Sequence, residues 1–302
     1  MTLKNQIFKS MCAFSAVSVL LIVLGMLITL VVESFPALRH FGFLNFLTTA
    51  DWNYSKEIFG ALRPLTGTVI SSIIALIAAV PVAVGTAIFL TELCPDKLRR
   101  PIGTAVELLA AIPSIIYGMW GLLVFAPFME KYVEPVVSAS LGNLPIIGNF
   151  FQANTQGGVG LLTASLVLAI MIIPFIASIS RDAFNQVPDM LKESAYGLGA
   201  TRWETLYQVV IPYSRNAMAG GIIIAMGRAL GETMAVAYVI GNRHAPLDSI
   251  FSPYSTITSV MANEFNEAAN LQMSSLFALA LILFLANFLA IIAANRFLPA
   301  KK

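Results

Sequence analysis

The sequence predicts an all-α integral membrane protein with six transmembrane helices, and three observations carry that prediction. Hydrophobic residues fill 58% of the 302 positions and charged residues 11%, with a mean hydropathy of +0.81, well above soluble globular chains. Six stretches long enough to cross a hydrocarbon core of roughly 30 Å are almost free of charge. The Lys and Arg residues between those stretches also alternate in density. With both termini in the cytoplasm, Lys4, Lys9, Lys97, Arg99, Arg100, Arg181, Lys192, Arg202, Arg215, Arg296, Lys301 and Lys302 fall inside, against Arg39, Lys56, Arg63, Lys131 and Arg243 outside.

The first stretch, Met11–Val32, is too long for the apolar core of a signal peptide. No small-residue cleavage site follows it, so it reads as a retained span. Thr66–Thr91 is the second and Ile102–Pro127 the third, interrupted only by Glu107. Gly158–Ser180 is the fourth. Met218–Ile240, the fifth, carries Arg228 and Glu232, and Ser274–Asn295 is the sixth. Residues 1–65 thus form a cytoplasmic tail, one span and an outer segment, ahead of a five-helix core over 66–302. Pro81, Pro113 and Pro174 each remove a backbone hydrogen bond and are expected to bend their helices. The outer loops, about 33–65, 128–157 and 241–273, are too short for separate domains.

Several function classes drop out. A formal net charge of +2 with scattered basic residues gives no nucleic-acid surface. Cys12 and Cys94 are too few and too far apart for a disulfide framework or a metal site and read as packing or loop residues. His40 and His244 lie in outer loops with no clustered ligands and read as surface residues. No nucleophile and base constellation appears, so no catalytic residue is assigned. Nor does the chain contain a Gly-Lys dipeptide, which excludes a P-loop of its own.

The cytoplasmic loop of about 181–217 is the most patterned part. After Pro188, Leu191, Ala195 and Leu198 share a helix face, and Gly199 offers a stop. Thr201 and Glu204 then form a T-x-x-E capping box, with Trp203, Leu206, Tyr207 and Val210 as an apolar stripe that Pro212 is expected to end. Two short amphipathic helices at a sharp turn need a cover for their apolar faces, either the membrane and bundle or another protein.

The spacing of Glu193, Ser194, Ala195, Gly199, Val209, Ile211 and Pro212 resembles the EAA motif of ABC importer permeases, with Ser194 standing for Ala, Val209 for Ile and Ile211 for Leu. That resemblance implies a coupling helix docked on a cytoplasmic ATPase subunit, and hence ATP and Mg bound by that partner, with no cofactor or metal in this chain. FLTTADWN (46–53), FGALRPLTGT (59–68), AIPSIIYG (111–118) and RALGETMAVAYVIGN (228–242) resemble the C-type permease subunits of bacterial phosphate-specific transport (Pst) systems. By that resemblance the chain has a type I ABC importer permease fold in the bacterial inner membrane. It would form a heterodimer with a second permease, bind two copies of the ATPase, and receive inorganic phosphate from a periplasmic binding protein.

Arg228 and Glu232 lie where charge costs about 2.5 to 3.5 kcal/mol per residue, so they are expected to face the bundle interior or a watery path. At i, i+4 they could neutralise each other. An arginine fork matches two phosphate oxygens, which makes the pair a candidate substrate path. Glu232 could hold Arg228 when no substrate is present, or accept a hydrogen bond from a protonated phosphate oxygen, which sulfate lacks. A purely structural salt bridge is the plainer alternative. Gly227 and Gly231 form a G-x-x-x-G that would let helices approach. Glu107 is expected to reach the interface or a neighbouring group. Asp51, Trp52 and Asn53 are expected outside, at a docking surface or in an interfacial helix.

Three transporter alternatives remain. Sulfate, molybdate and phosphonate permeases share the coupling motif. A secondary transporter would use broken helices and a midplane charge pair without needing the loop. A channel subunit would need a filter-like sequence, which is missing.

Overall fold

The computed structural model describes residues 3–145, 148–153 and 157–297. Among these residues, five helices are long and apolar enough to cross a membrane: Ile7–Phe41, Leu62–Leu93, Leu161–Asn185, Arg202–Leu230 and Asn270–Ala293. A bent pair, Asp96–Ala110 and Ser114–Leu141, meets at 88° and is long and apolar enough to make a sixth if it counts as one span. Five of the six charge-poor stretches thus lie wholly or mostly on single helices long enough to cross, and the third is not one straight helix. Pro113 causes the break. It has an extended ψ of 138° ahead of the helix that opens at Ser114, and its missing N–H starts that helix at no hydrogen-bond cost. Pro81 and Pro174, by contrast, sit inside continuous helices.

The chain packs as two units. One holds the residues up to Leu62 with Glu264–Leu285, and the other holds Arg63–Asn263 with the chain from Ala286 on. In the first unit, α1 (Leu3–Phe41) shows apolar side chains on all sides, including Phe14, Leu20 and Val32, as a helix bathed in lipid does. After it come α2 (Phe43–Thr48) and a two-residue hairpin, β1 (Trp52–Asn53) against β2 (Ile58–Phe59). Trp52 is buried against Phe59 at 5.0 Å between ring centroids, and its indole N–H donates to Glu264 Oε2 at 2.8 Å. The expected exposed docking residue is thus largely spent on holding its own segment.

The second unit starts with α3 (Leu62–Ile88), whose π-helical turn Phe89–Leu93 leads to α4 (Asp96–Ala110). Past the Pro113 break, α5 (Ser114–Trp120), α6 (Ala126–Phe128) and α7 (Glu134–Leu141) are joined by further π-helical turns. At the centre is α8 (Leu161–Asn185), with Leu168, Ile172 and Ile176 fully buried. Ala75, Ala79 and Ala83, one per turn of α3, belong to the same core. With lipid as apolar as any core, small residues that bring helices together supply the packing that the hydrophobic effect supplies in water.

The loop of about 181–217 folds as α9 (Asp189–Gly197) and α10 (Arg202–Thr205), and a π-helical turn over Leu206–Val210 runs into α11 (Ile211–Leu230). Pro212 therefore does not end the second helix. The wider turn, closed by the Ile211 N–H on the Leu206 carbonyl, accommodates the proline ring and its lost donor, so the helix passes into the span. Three more helices complete the chain, α12 (Met234–Val239), α13 (Ile257–Glu264) and α14 (Asn270–Phe297). The terminal lysines Lys301 and Lys302 used in the charge argument lie outside the described residues.

Candidate functional site

The fifth span, expected over Met218–Ile240, ends as a continuous helix at Leu230, between the two charges the sequence singles out. Helix α11 stops at Leu230, and α12 starts at Met234, so Gly231, Glu232 and Thr233 form a non-helical joint. Local chemistry explains the break. Gly231 costs about 1 kcal/mol against alanine inside a helix, and the two polar groups of Glu232 are satisfied elsewhere. Its carbonyl accepts the Thr258 hydroxyl at 2.7 Å, and its Oε1 accepts the Ala235 N–H at 3.2 Å. The carboxylate thereby covers one of the orphan donors at the start of α12.

This geometry corrects the expected ion pair. With the helix ended before Glu232, i, i+4 spacing no longer stacks the two side chains, and no salt bridge joins Arg228 to Glu232 among the described residues. Arg228 is instead exposed on this subunit, with its guanidinium carbon 5.9 Å from the centroid of the Phe175 ring. That is cation–π range. The G-x-x-x-G reading is corrected too. A Cβ at Gly227 would meet Asn287 and Ile291 at ordinary van der Waals distance, and one at Gly231 would meet only carbonyls of its own helix. Close approach occurs at other glycines. A Cβ on Gly118 would lie 3.0 Å from the Ala235 Cα, so α5 presses on α12 there.

A belt of buried hydroxyls holds the joint, and the sequence offered little sign of it. The Thr68 hydroxyl of α3 accepts the Ile257 N–H at 2.9 Å. Gly67 lets the chain at Ser255 come so close that a Cβ would overlap the Ser255 carbonyl oxygen. Ser259 bridges to Asn242 at 3.1 Å, and the Thr256 N–H donates to Ser259 Oγ at 2.9 Å. Thus the TGT of 66–68 and the STITS of 255–259 form one polar support behind the broken helix, with Thr258 bonded directly to Glu232.

At the other end of the unit, the loop residues Glu193, Ser194, Gly199 and Pro212 are exposed, while Ala195, Val209 and Ile211 are partly covered. Gly199 adopts a φ of +87°, a conformation that glycine reaches without strain. The Thr201–Glu204 capping box forms in both directions. Leu198 is 90% exposed and Trp203 69% exposed, a large apolar area for a loop. Two ion pairs brace this region: Lys192 Nζ to Glu92 Oε1 at 2.6 Å, and Arg181 Nη2 to Glu107 Oε1, also at 2.6 Å. The second pair accounts for Glu107. Among the described residues, no group of three His, Cys, Asp or Glu side chains is set to hold a metal ion.

The family model for the inner membrane component of binding-protein-dependent transport systems matches residues 58–302. The phosphate transport system permease protein PstC of Mesorhizobium japonicum is 53% identical over 294 residues, covering 97% of this chain and 89% of that protein. Among solved structures, a bacterial ABC transporter involved in import of the acidic polysaccharide alginate superposes with a TM-score of 0.65 at 17% identity, over 99% of this chain and 97% of that one. The alginate transporter in complex with its alginate pentasaccharide-bound periplasmic protein gives 0.63 at 17% identity, over 97% and 94%.

Proposed function

The chain belongs to the binding-protein-dependent transport inner membrane component family, among its PstC phosphate permeases, and from that membership we infer that it is the membrane subunit through which an ATP-driven importer passes inorganic phosphate inward. The observation that carries the reading is near-full-length identity to a phosphate transport permease. A multi-pass helical structure with a type I importer fold accompanies it.

The rest of the assembly follows from the same reading. The chain works in the bacterial inner membrane with both termini in the cytoplasm. It pairs with a second permease and receives phosphate from a periplasmic binding protein. Glu193, Ser194, Ala195, Gly199, Val209, Ile211 and Pro212 form the seat for a cytoplasmic ATPase pair, which binds the ATP and Mg. The exposed Leu198 and Trp203 beside that motif support a protein cover, because apolar side chains of this size are the usual anchors of a docked partner.

Within the membrane, Arg228 meets the anion. Its exposure on this subunit, with no carboxylate paired to it among the described residues, leaves the planar fork open to two phosphate oxygens. Glu232 acts as the acceptor for a protonated phosphate oxygen. Its Oε1 is engaged by Ala235, and its second oxygen can take the proton-bearing oxygen that sulfate lacks near neutral pH. The alternative, in which Glu232 holds Arg228 between substrates, has no support from a joint that keeps the two apart.

The test is uptake of labelled phosphate into proteoliposomes holding the chain with its second permease and ATPase, with binding protein outside and ATP inside. ATP-dependent uptake that excess sulfate does not compete away is expected. Uptake that follows an ion gradient without ATP would replace this reading with a secondary transporter.

A further inference from the structure

The coupling helix α9 is attached weakly by packing. None of its residues is buried, and Met190 and Leu191 within it and Leu198 beside it are exposed. A cleft of about 430 Å³ opens where the loop meets the corner between α3 and α4, lined by Glu92, Cys94, Asp96, Arg99, Tyr196 and Arg202. What crosses from α9 to α3 is Lys192, whose Nζ lies 2.6 Å from Glu92 Oε1. Both side chains are about four-fifths enclosed, at 19% and 18% exposure. The surface pair Arg99–Asp96 is unlike it, formed at 3.6 Å within one helix with exposures of 45% and 94%.

An enclosed pair behaves differently from a surface one. Exposed pairs contribute little and exchange freely with water, whereas separating a partly buried pair strands both charges and is resisted. Glu92 also sits in the π-helical turn that ends α3. Such turns are rare overall and frequent at functional positions. Here the turn sets the carboxylate that meets Lys192.

From Glu92 the π-helical turn passes directly into α3, which reaches back to the hydroxyl belt. Twenty-four residues separate Glu92 from Thr68, roughly 36 Å along a helix. At that far end Thr68 holds the Ile257 N–H, and the adjacent Thr258 holds the Glu232 carbonyl. One ion pair, one helix with its π-helical end and two hydrogen bonds therefore connect the coupling helix to the broken joint that carries Glu232.

We propose that Lys192–Glu92 is the link through which α9 and the cytoplasmic end of α3 move as one body, so that displacement of the coupling helix is delivered by α3 to the joint at Glu232. Lys192 and Glu92 are positioning residues; neither touches substrate. The inference rests on the reading of 189–212 as the seat of the ATPase.

The test uses the complete complex, with second permease, ATPase and binding protein, read for ATPase retention and for phosphate imported per ATP hydrolysed. Lys192→Glu and Glu92→Lys are each expected to keep the ATPase bound while uptake per ATP falls about tenfold, the scale of a site-to-site coupling. The double exchange is expected to recover to within about threefold of the parent, since it restores the pair with its sign reversed. Parental coupling in both single variants, or a double variant no better than the singles, overturns the proposal. Loss of the ATPase from the parent complex itself would overturn the coupling-loop reading, and this inference with it.

A second measurement covers variants that fail to fold. In a Cys12→Ser, Cys94→Ser background, Glu92→Cys with Lys192→Cys is expected to import less phosphate per ATP than the parent while unbridged, and to recover when a short bis-maleimide joins the two cysteines. A block of uptake on bridging would mean that the two segments slide past each other during the cycle, and would overturn the proposal.

Discussion

Glu232 caps the helix that follows it: its Oε1 accepts the Ala235 N–H at 3.2 Å. This bond gives the carboxylate a place in the fold, from which its proposed role in transport can be separated. Glu232→Gln keeps a carbonyl oxygen for Ala235 and is expected to change stability by less than about 0.5 kcal/mol. Glu232→Ala removes the cap and is expected to cost about 1 kcal/mol, read as a lower unfolding midpoint of the solubilised complex. Uptake is expected to fall in both. Parental uptake by Glu232→Gln would rule out a role for the carboxylate charge.

Arg228 separates a fork from a point charge. Arg228→Lys keeps a cation in place but cannot hold two oxygens at once, and phosphate uptake is expected to drop about tenfold. Arg228→Gln removes the charge altogether and is expected to abolish uptake while leaving ATPase association intact. Equal losses in the two variants would mean that the bidentate geometry is what matters. A lysine variant at parental rates would reduce Arg228 to a source of positive potential.

The spans were legible because lipid leaves a chain few choices: about 20 apolar residues with self-satisfied backbone must be helix. The capping box at Thr201 and the turn at Gly199 were legible because their partners lie within a few residues. Features set by distant partners were not. The Glu232 carbonyl is taken by Thr258, 26 residues on, so a pattern read as i, i+4 on one helix concealed a joint. Lys192 and Glu92 are 100 residues apart, and neither is unusual in its own stretch. Pro113 and Pro212 show the same limit. One breaks its crossing and the other is absorbed, and the difference lies in the π-helical turn ahead of Pro212, which no residue type announces.

Gly199 offers a direct check on the turn between the two loop helices. At a φ of +87°, a side chain costs about 1 to 2 kcal/mol in local strain. With nothing within 4 Å of a Cβ there, Gly199→Ala introduces no clash. The expected result is a complex that folds and reaches the membrane but retains less ATPase on purification. Full retention with normal uptake would show that the turn adapts without consequence to its partner.

Gly67 tests the hydroxyl belt from the opposite direction. A Cβ at this position would overlap the Ser255 carbonyl oxygen, and a backbone atom cannot swing aside as a side-chain tip can. To accept even alanine, α3 and the 255–259 segment must separate, which pulls Thr68 from the Ile257 N–H and disturbs the segment whose Thr258 holds Glu232. Overpacking of this kind costs about 1 to 3 kcal/mol. Gly67→Ala is therefore expected to lower the unfolding midpoint and to reduce uptake more than the lost protein accounts for, because the joint at Glu232 loses its support. Gly25→Ala in α1 is the control, since a Cβ there meets nothing within 4 Å, and it is expected to leave both readouts at parental values. If Gly67→Ala matched that control, the approach of α3 to Ser255 would be too loose for the belt to hold the broken helix, and the route from α3 to Glu232 would lose its upper half.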